Sequence, residues 1–192
     1  MSATGKEYIE VTFHGRGGQG AITASNLLCE FVFEEGYADA LDIPKIGAER
    51  RGAPIQAFSK LSKDSEIKDF CAVEQADYTF VFDFTLLDIP TVVSSLSGTI
   101  IVNAPEFANF DCIGNVKEIW AVDATGIAID NNLMLSGYPI LNTLMLGAYA
   151  KITGQYSLET MKKVLEKRFG SKAEQNLLAA KQAYESVKKV RG

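Results

Sequence analysis

Residues 8–20 read YIEVTFHGRGGQG, and they run directly into AITASNLLCEFVFEE, residues 21–35. In Tyr8 to His14 the apolar Ile9, Val11 and Phe13 alternate with Glu10, Thr12 and His14, the period-2 pattern of a strand with one buried face. From Ala21 the period changes: Ile22, Leu27, Leu28, Phe31 and Val32 recur at helical spacing until Gly36 stops the run. A strand, a glycine-rich turn and a helix in that order make the first half of a right-handed crossover, the opening unit of an α/β fold.

Working outward, Tyr37 to Leu41 predicts a second strand, and periodicity is lost from Asp42 to Pro54. Ile55 to Leu61 and Ile67 to Val73, parted by the polar Ser62 to Glu66, predict a hairpin. Tyr78 to Asp83 and Gly98 to Asn103 are short apolar runs of the kind buried on both faces of a sheet. Thr85 to Leu96 between them suits a helix that Pro90 interrupts. Glu118 to Val122 predicts another strand and Ala124 to Asp130 a short helix. Tyr138 to Ile152, ended by Gly154, and the amphipathic Ser157 to Phe169 are further helices. Ser171 and Glu174 have the spacing of a capping box that opens a last one. The expected fold class is α/β: a single three-layer α/β/α Rossmann-like domain over 1–192, with a mostly parallel sheet and a helical C-terminal third. Its core spans about 8–154 and its C-terminal helices about 157–190.

The composition narrows the chemistry. The 192 residues are 47% apolar and carry 19 Lys and Arg against 24 Asp and Glu, a net charge of −5. The mean hydropathy is +0.04. Such a chain folds, and its acidity argues against nucleic acid as a partner. One histidine and three scattered cysteines, Cys29, Cys71 and Cys112, supply neither a zinc site nor an iron–sulfur ligand set. The cysteines are expected to be small buried apolar residues, and an odd, scattered set suits a reducing cytoplasm. No apolar run is long enough to span a membrane.

Gly15, Arg16, Gly17, Gly18, Gln19 and Gly20 match GxGxxG between strand and helix, where glycines allow backbone to approach a ligand and the helix start offers free N–H groups. Phosphate or pyrophosphate suits such a place. With Asp39 or Asp42 as ribose partner the loop would serve a nicotinamide dinucleotide; as a tight turn it would serve packing alone or a subunit contact. Lys45, Arg50 and Arg51 add three cations against one anion, Glu49, in a stretch punctuated by Gly47, Gly52 and Pro54. Convergence of these cations with Arg16 would suit a ligand more anionic than a nicotinamide dinucleotide; solvated arginines paired with nearby acids are the alternative. His14, alone at a strand end, reads as structural, and no catalytic set stands out.

HGRGGQG (His14 to Gly20), GAERRGAP (Gly47 to Pro54), DFTLL (Asp83 to Leu87) and SGYPILNTLMLGA (Ser136 to Ala148), in this order and spacing, resemble the gamma subunit of 2-oxoacid:ferredoxin oxidoreductases. The match covers roughly Tyr8 to Gly154. Ala48 and Phe84 stand where pyruvate-type members usually carry proline, yet ERRGAP is more similar to the pyruvate and branched-chain pattern than to the 2-oxoglutarate one. The resemblance implies a cytoplasmic hetero-oligomer with alpha, beta and delta-type subunits that reduces ferredoxin. It implies thiamine diphosphate, Mg2+ and iron–sulfur clusters on partner chains, with neither a metal nor the catalytic centre in this one. It also implies coenzyme A bound partly here, its phosphates near Gly15 to Gly20, with Arg50, Arg51, Gly52 and Asn142 as further contacts.

Overall fold

The computed structural model describes residues 8–45, 52–106 and 108–192. Strand β1 (Ile9–Arg16) leads through the glycine stretch into helix α1 (Ala21–Glu34), as its periodicity predicts. Strands β2 (Asp39–Pro44), β3 (Pro54–Ser62) and β4 (Tyr78–Val81) follow. A 3-10 turn (Phe84–Asp88) and the short helix α2 (Pro90–Val93) come next; Pro90 sits in the first turn of α2, where a missing N–H costs nothing. Then come β5 (Thr99–Asn103), β6 (Glu118–Val122) and helix α3 (Ala124–Asp130). A two-residue-stranded hairpin, β7 (Met134–Leu135) and β8 (Tyr138–Pro139), precedes α4 (Asn142–Thr153). Helices α5 (Leu158–Phe169) and α6 (Ala173–Ser186) and strand β9 (Lys188–Arg191) end the described chain.

The seven-stranded sheet has the order β2-β3-β1-β4-β5-β6-β9. Its centre, β1 with β4, β5 and β6, is parallel. Antiparallel partners flank that centre: β3 on β1, β2 on β3, and β9 on β6. The pleat sends alternate side chains to opposite faces. Phe13, Phe80, Ile101 and Val122 join the large core under α1 and α3 to α6. Val81, Ile100, Val102 and Ile119 meet Leu86, Leu87, Val92 and Ile113 on the other face. That second outer layer is thin, made by α2, the 3-10 turn and loops. Phe13 stacks on Phe80 with centroids 4.7 Å apart, and the fully buried Tyr149 of α4 lies 5.4 Å from Phe80.

A buried cation fastens the loop after β3. The Lys60 side chain is 1% exposed and lies between Glu10, at 3.6 Å, and Asp69. The Asp69 carboxyl is held well below its usual range by the Lys60 ammonium, then by the Cys71 N–H and the Tyr8 hydroxyl. Ile67 to Val73 is not a strand, because both edges of β3 are already taken by β1 and β2. The segment is instead a loop held by Lys60 to Asp69 and by the Ile67 N–H donating to Asp39.

Further differences are local. Helix α4 starts at Asn142 rather than Tyr138, since Ser136 and Gly137 take positive φ and fold Tyr138 back onto β7. Ser171 lies in a 3-10 turn (Gly170–Lys172) that runs straight into α6, so the expected capping box does not form. Cys29 is buried as expected, whereas Cys71 and Cys112 are exposed on loops. Burial pushes the Cys29 thiol up to about 12, which removes it from thiolate chemistry. No helix among the described residues is long and apolar enough to cross a membrane.

Candidate functional site at the glycine loop

The glycine loop lies at the carboxyl end of β1, from which the chain goes first to β2 and β3 on one side and then to β4, β5 and β6 on the other. Crevices at such switch points are the usual ligand sites of open α/β sheets. Gly18 and Gly20 take φ of 99° and 85°, which only glycine adopts without strain. At Gly15 an added Cβ would lie 2.8 Å from that of Ala21, so glycine there lets the helix start close against the strand. Gly20 precedes α1; no side chain caps the helix and no acid lies in its first turn. The first-turn N–H groups have no intrahelical acceptors, and the dipole presents its positive end.

These groups face a cavity of about 480 Å³ lined by Gly17 to Thr23, Ile55, Leu135, Ile140, Asn142, Phe169, Lys172 and Asn176. Asn142 is 6% exposed. Its Oδ1 accepts from the Thr143 N–H, while its Nδ2 has no partner among the described residues and borders the cavity beside Gly20. The residue is buried, but this donor opens on the cavity, where a ligand acceptor would pair with it.

Arg16 does not border this cavity. Its Nε meets Asp83 at 3.1 Å, its Nη1 donates to the Gly52 carbonyl at 3.1 Å, and its Nη2 donates to Thr85 Oγ1 at 2.7 Å. Gln19 joins the same hub, accepting from the Arg16 N–H and donating to Asp83 at 2.8 Å. Burial pushes the Asp83 carboxyl up, but donors on Thr85 and Gln19 and the Arg16 charge outweigh it and leave it lowered. Gly17 and Gly52 are tied by a short ladder: Gly17 N–H to Ala53 O at 3.0 Å and Gly52 N–H to Gly17 O at 3.2 Å. Two positions that the sequence read as ligand contacts, Arg16 and Gln19, thus frame the loop. Arg50 and Arg51, with Glu49, lie outside the described residues; Gly52, next in the chain, is bonded to the loop.

The nicotinamide alternative loses its acid. Asp39 begins β2, and its carboxylate accepts from the N–H groups of Ala40 and Ile67. Asp42 is on β2 as well, and β3 stands between β2 and β1, two strand spacings (about 10 Å) from the loop's strand. His14 is buried with Nε2 3.5 Å from Ser95 Oγ; burial, then the Lys45 charge, lowers it to about 4, so it is neutral near pH 7. Among the described residues no cluster of three His, Cys, Asp or Glu is arranged for a metal ion. A larger cavity, about 790 Å³, lies at the β6–β9 edge. Its main polar groups are already engaged: Arg191 with the carbonyls of Ile113 and Gly114, Lys188 with Glu106, and Asp123 with the Gly126 N–H. The smaller cavity is the better site.

Lys172 was not singled out in the sequence. It sits in the turn between α5 and α6, and only the docking of that helix pair brings it to the glycine loop.

A family model described as pyruvate ferredoxin/flavodoxin oxidoreductase matches residues 10–186. The chain belongs to that family. It is 41% identical over 187 residues to pyruvate synthase subunit PorC of Methanothermobacter thermautotrophicus, covering 95% of this chain and 98% of that one. It is 40% identical to the pyruvate/ketoisovalerate oxidoreductases common subunit gamma of Thermococcus kodakarensis, covering 92% and 95%. The crystal structure of pyruvate oxidoreductase subunit PORC from Thermotoga maritima matches with a TM-score of 0.80 and 37% identity, over 96% of this chain and 99% of that one. The 2-oxoglutarate:ferredoxin oxidoreductase of Magnetococcus marinus, solved with 2-oxoglutarate, coenzyme A and succinyl-CoA bound, shares the fold. Its TM-score is 0.70 at 19% identity, over 94% of this chain and 30% of that longer one. The gamma-subunit resemblance carried by the four motifs is therefore correct, and this family member matches its gamma-type relatives almost from end to end.

Proposed function

We propose that this chain is the coenzyme A-docking gamma subunit of a cytoplasmic 2-oxoacid:ferredoxin oxidoreductase, with pyruvate as the oxoacid. Partner chains of alpha, beta and delta type carry thiamine diphosphate, Mg2+ and the iron–sulfur clusters, and the assembled enzyme passes electrons to ferredoxin. The observation that carries the reading is the cavity at the uncapped start of α1, with the unpartnered Asn142 amide in its wall. Backbone N–H groups there suit pyrophosphate oxygens, and the guanidinium groups of Arg50 and Arg51 would add charged donors, while Gly52, whose N–H is given to the Gly17 carbonyl, anchors that stretch to the glycine loop. The bound thiol supplies the acyl acceptor; this chain's residues bind and orient it and move no proton. The Thermococcus relative is named as common to pyruvate and ketoisovalerate enzymes, which supports an oxoacid choice made on another subunit.

The test uses the assembled enzyme, purified without oxygen. Arg50→Glu with Arg51→Glu should raise KM for coenzyme A by at least about tenfold, since each reversed charge removes a charge-assisted contact. KM for the oxoacid should stay unchanged. Equal effects on both substrates would overturn the assignment.

A further inference from the structure

The far wall of the glycine-loop cavity is built, although nothing in its local sequence marks it. Asn176 and Thr143 are buried, and Thr143 Oγ1 donates to Asn176 Oδ1 at 3.1 Å. Asn176 Nδ2 in turn donates to the Lys172 carbonyl at 2.9 Å. This chain of bonds fixes the α5–α6 turn to the residue beside Asn142. Phe169 and Lys172, one turn apart, then line the cavity opposite the glycine loop. The Lys172 ammonium has no ion-pair partner among the described residues, although the chain as a whole is acidic.

The two walls differ in chemistry. The glycine wall offers backbone donors, the helix dipole and the free Asn142 amide, which suit a pyrophosphate. The α5–α6 wall offers an aromatic ring and, one turn on, a mobile point charge. An aromatic ring beside a cation suits a base with a phosphorylated sugar. We infer that Lys172, held by the Thr143–Asn176 bonds, recognises the 3′-phosphate on the ribose of coenzyme A, with Phe169 beside the adenine. The inference rests on the coenzyme A reading above and assigns the 5′-pyrophosphate and the 3′-phosphate of its nucleotide portion to opposite walls.

The experiment compares coenzyme A with 3′-dephospho-coenzyme A as acyl acceptors for the assembled enzyme. The unaltered enzyme should favour coenzyme A. Lys172→Met should raise KM for coenzyme A by about tenfold, the worth of one charge-assisted contact. It should leave KM for the dephospho form and for the oxoacid unchanged, and Lys172→Arg should restore the preference. Lys172 is exposed, so these variants test recognition rather than folding. A Lys172→Met enzyme that weakens both acceptors equally, or neither, would overturn the assignment. Asn142→Asp, isosteric but acidic, separates the two levels. If it raises KM for both acceptors while Lys172→Met does not discriminate, coenzyme A binds here and only the role of Lys172 fails. If neither variant changes either KM, the docking reading fails with it.

Discussion

The guanidinium of Arg16 and the carboxylate of Asp83 meet at 3.1 Å, and this contact turns the one arginine of the glycine loop away from the cavity it was expected to serve. Asp83 also accepts from Gln19 and from both the N–H and hydroxyl of Thr85. With Nη1 on the Gly52 carbonyl, Arg16 works as a clamp between the glycine loop and the loop after residue 51.

A clamp and a phosphate ligand respond differently to lysine. Lysine keeps the charge but cannot make three fixed contacts at once. Arg16→Lys should therefore raise KM for coenzyme A about as much as Arg16→Met does, and both should lose about 1 kcal/mol of stability, as for a partly buried ion pair. A lysine variant that behaves like the unaltered enzyme would make Arg16 a ligand after all.

His14 gives the fold an acid-sensitive window. Its folded value is lowered from 6.5 to about 4 by burial, so at pH above 6.5 it is neutral whether folded or not. Between pH 6.5 and 4 only the unfolded chain takes up the proton, and stability falls by up to about 3 kcal/mol before levelling off. The lowered carboxyls Asp69 and Asp83 lose their contributions at lower pH, as acid approaches and passes ordinary carboxylate values. Urea unfolding of the isolated chain across pH 4 to 7 should show this slope, and His14→Gln should remove it.

Gly147 is set by packing. A methyl group there would fall inside the van der Waals envelope of the Ala180 carbonyl, where α4 crosses α6. Gly147→Ala should destabilise the chain by about 2–3 kcal/mol through overpacking. It should loosen α6 and with it the Lys172 wall, visible as faster amide exchange in α6. An unchanged melting temperature would show that the helices can separate freely.

The parts of this fold that were legible share a physical cause. β4 and β5 are buried on both faces, so each reads as a short, mainly apolar run, the half-buried β6 keeps enough apolar residues to read as a strand, and β1 announced itself by alternation. What failed involved choices between partners. Ile67 to Val73 has strand-like residues, yet nothing in them reveals that β3 already has two neighbours. β9 is Lys-Lys-Val-Arg, exposed throughout, an edge strand whose charges discourage further pairing and hide it from any hydrophobic pattern. In the site, the glycine loop was visible because its backbone demands glycine. The diversion of Arg16 and the arrival of Lys172 depend on side chains 67 and more than 150 positions away, beyond any local signal.

The cavity walls run from Gly17 to Asn176, so the pocket exists only when nearly the whole chain is folded. Occupancy is then thermodynamically linked to global unfolding rather than to a local loop ordering. A ligand present at 100 times its Kd would add roughly 2.7 kcal/mol to the stability of the entire domain. Amides in α6, far along the chain from the glycines, would be protected as strongly as those of α1. The substrate would act as a tie across the fold, holding the late helical pair onto the early strand.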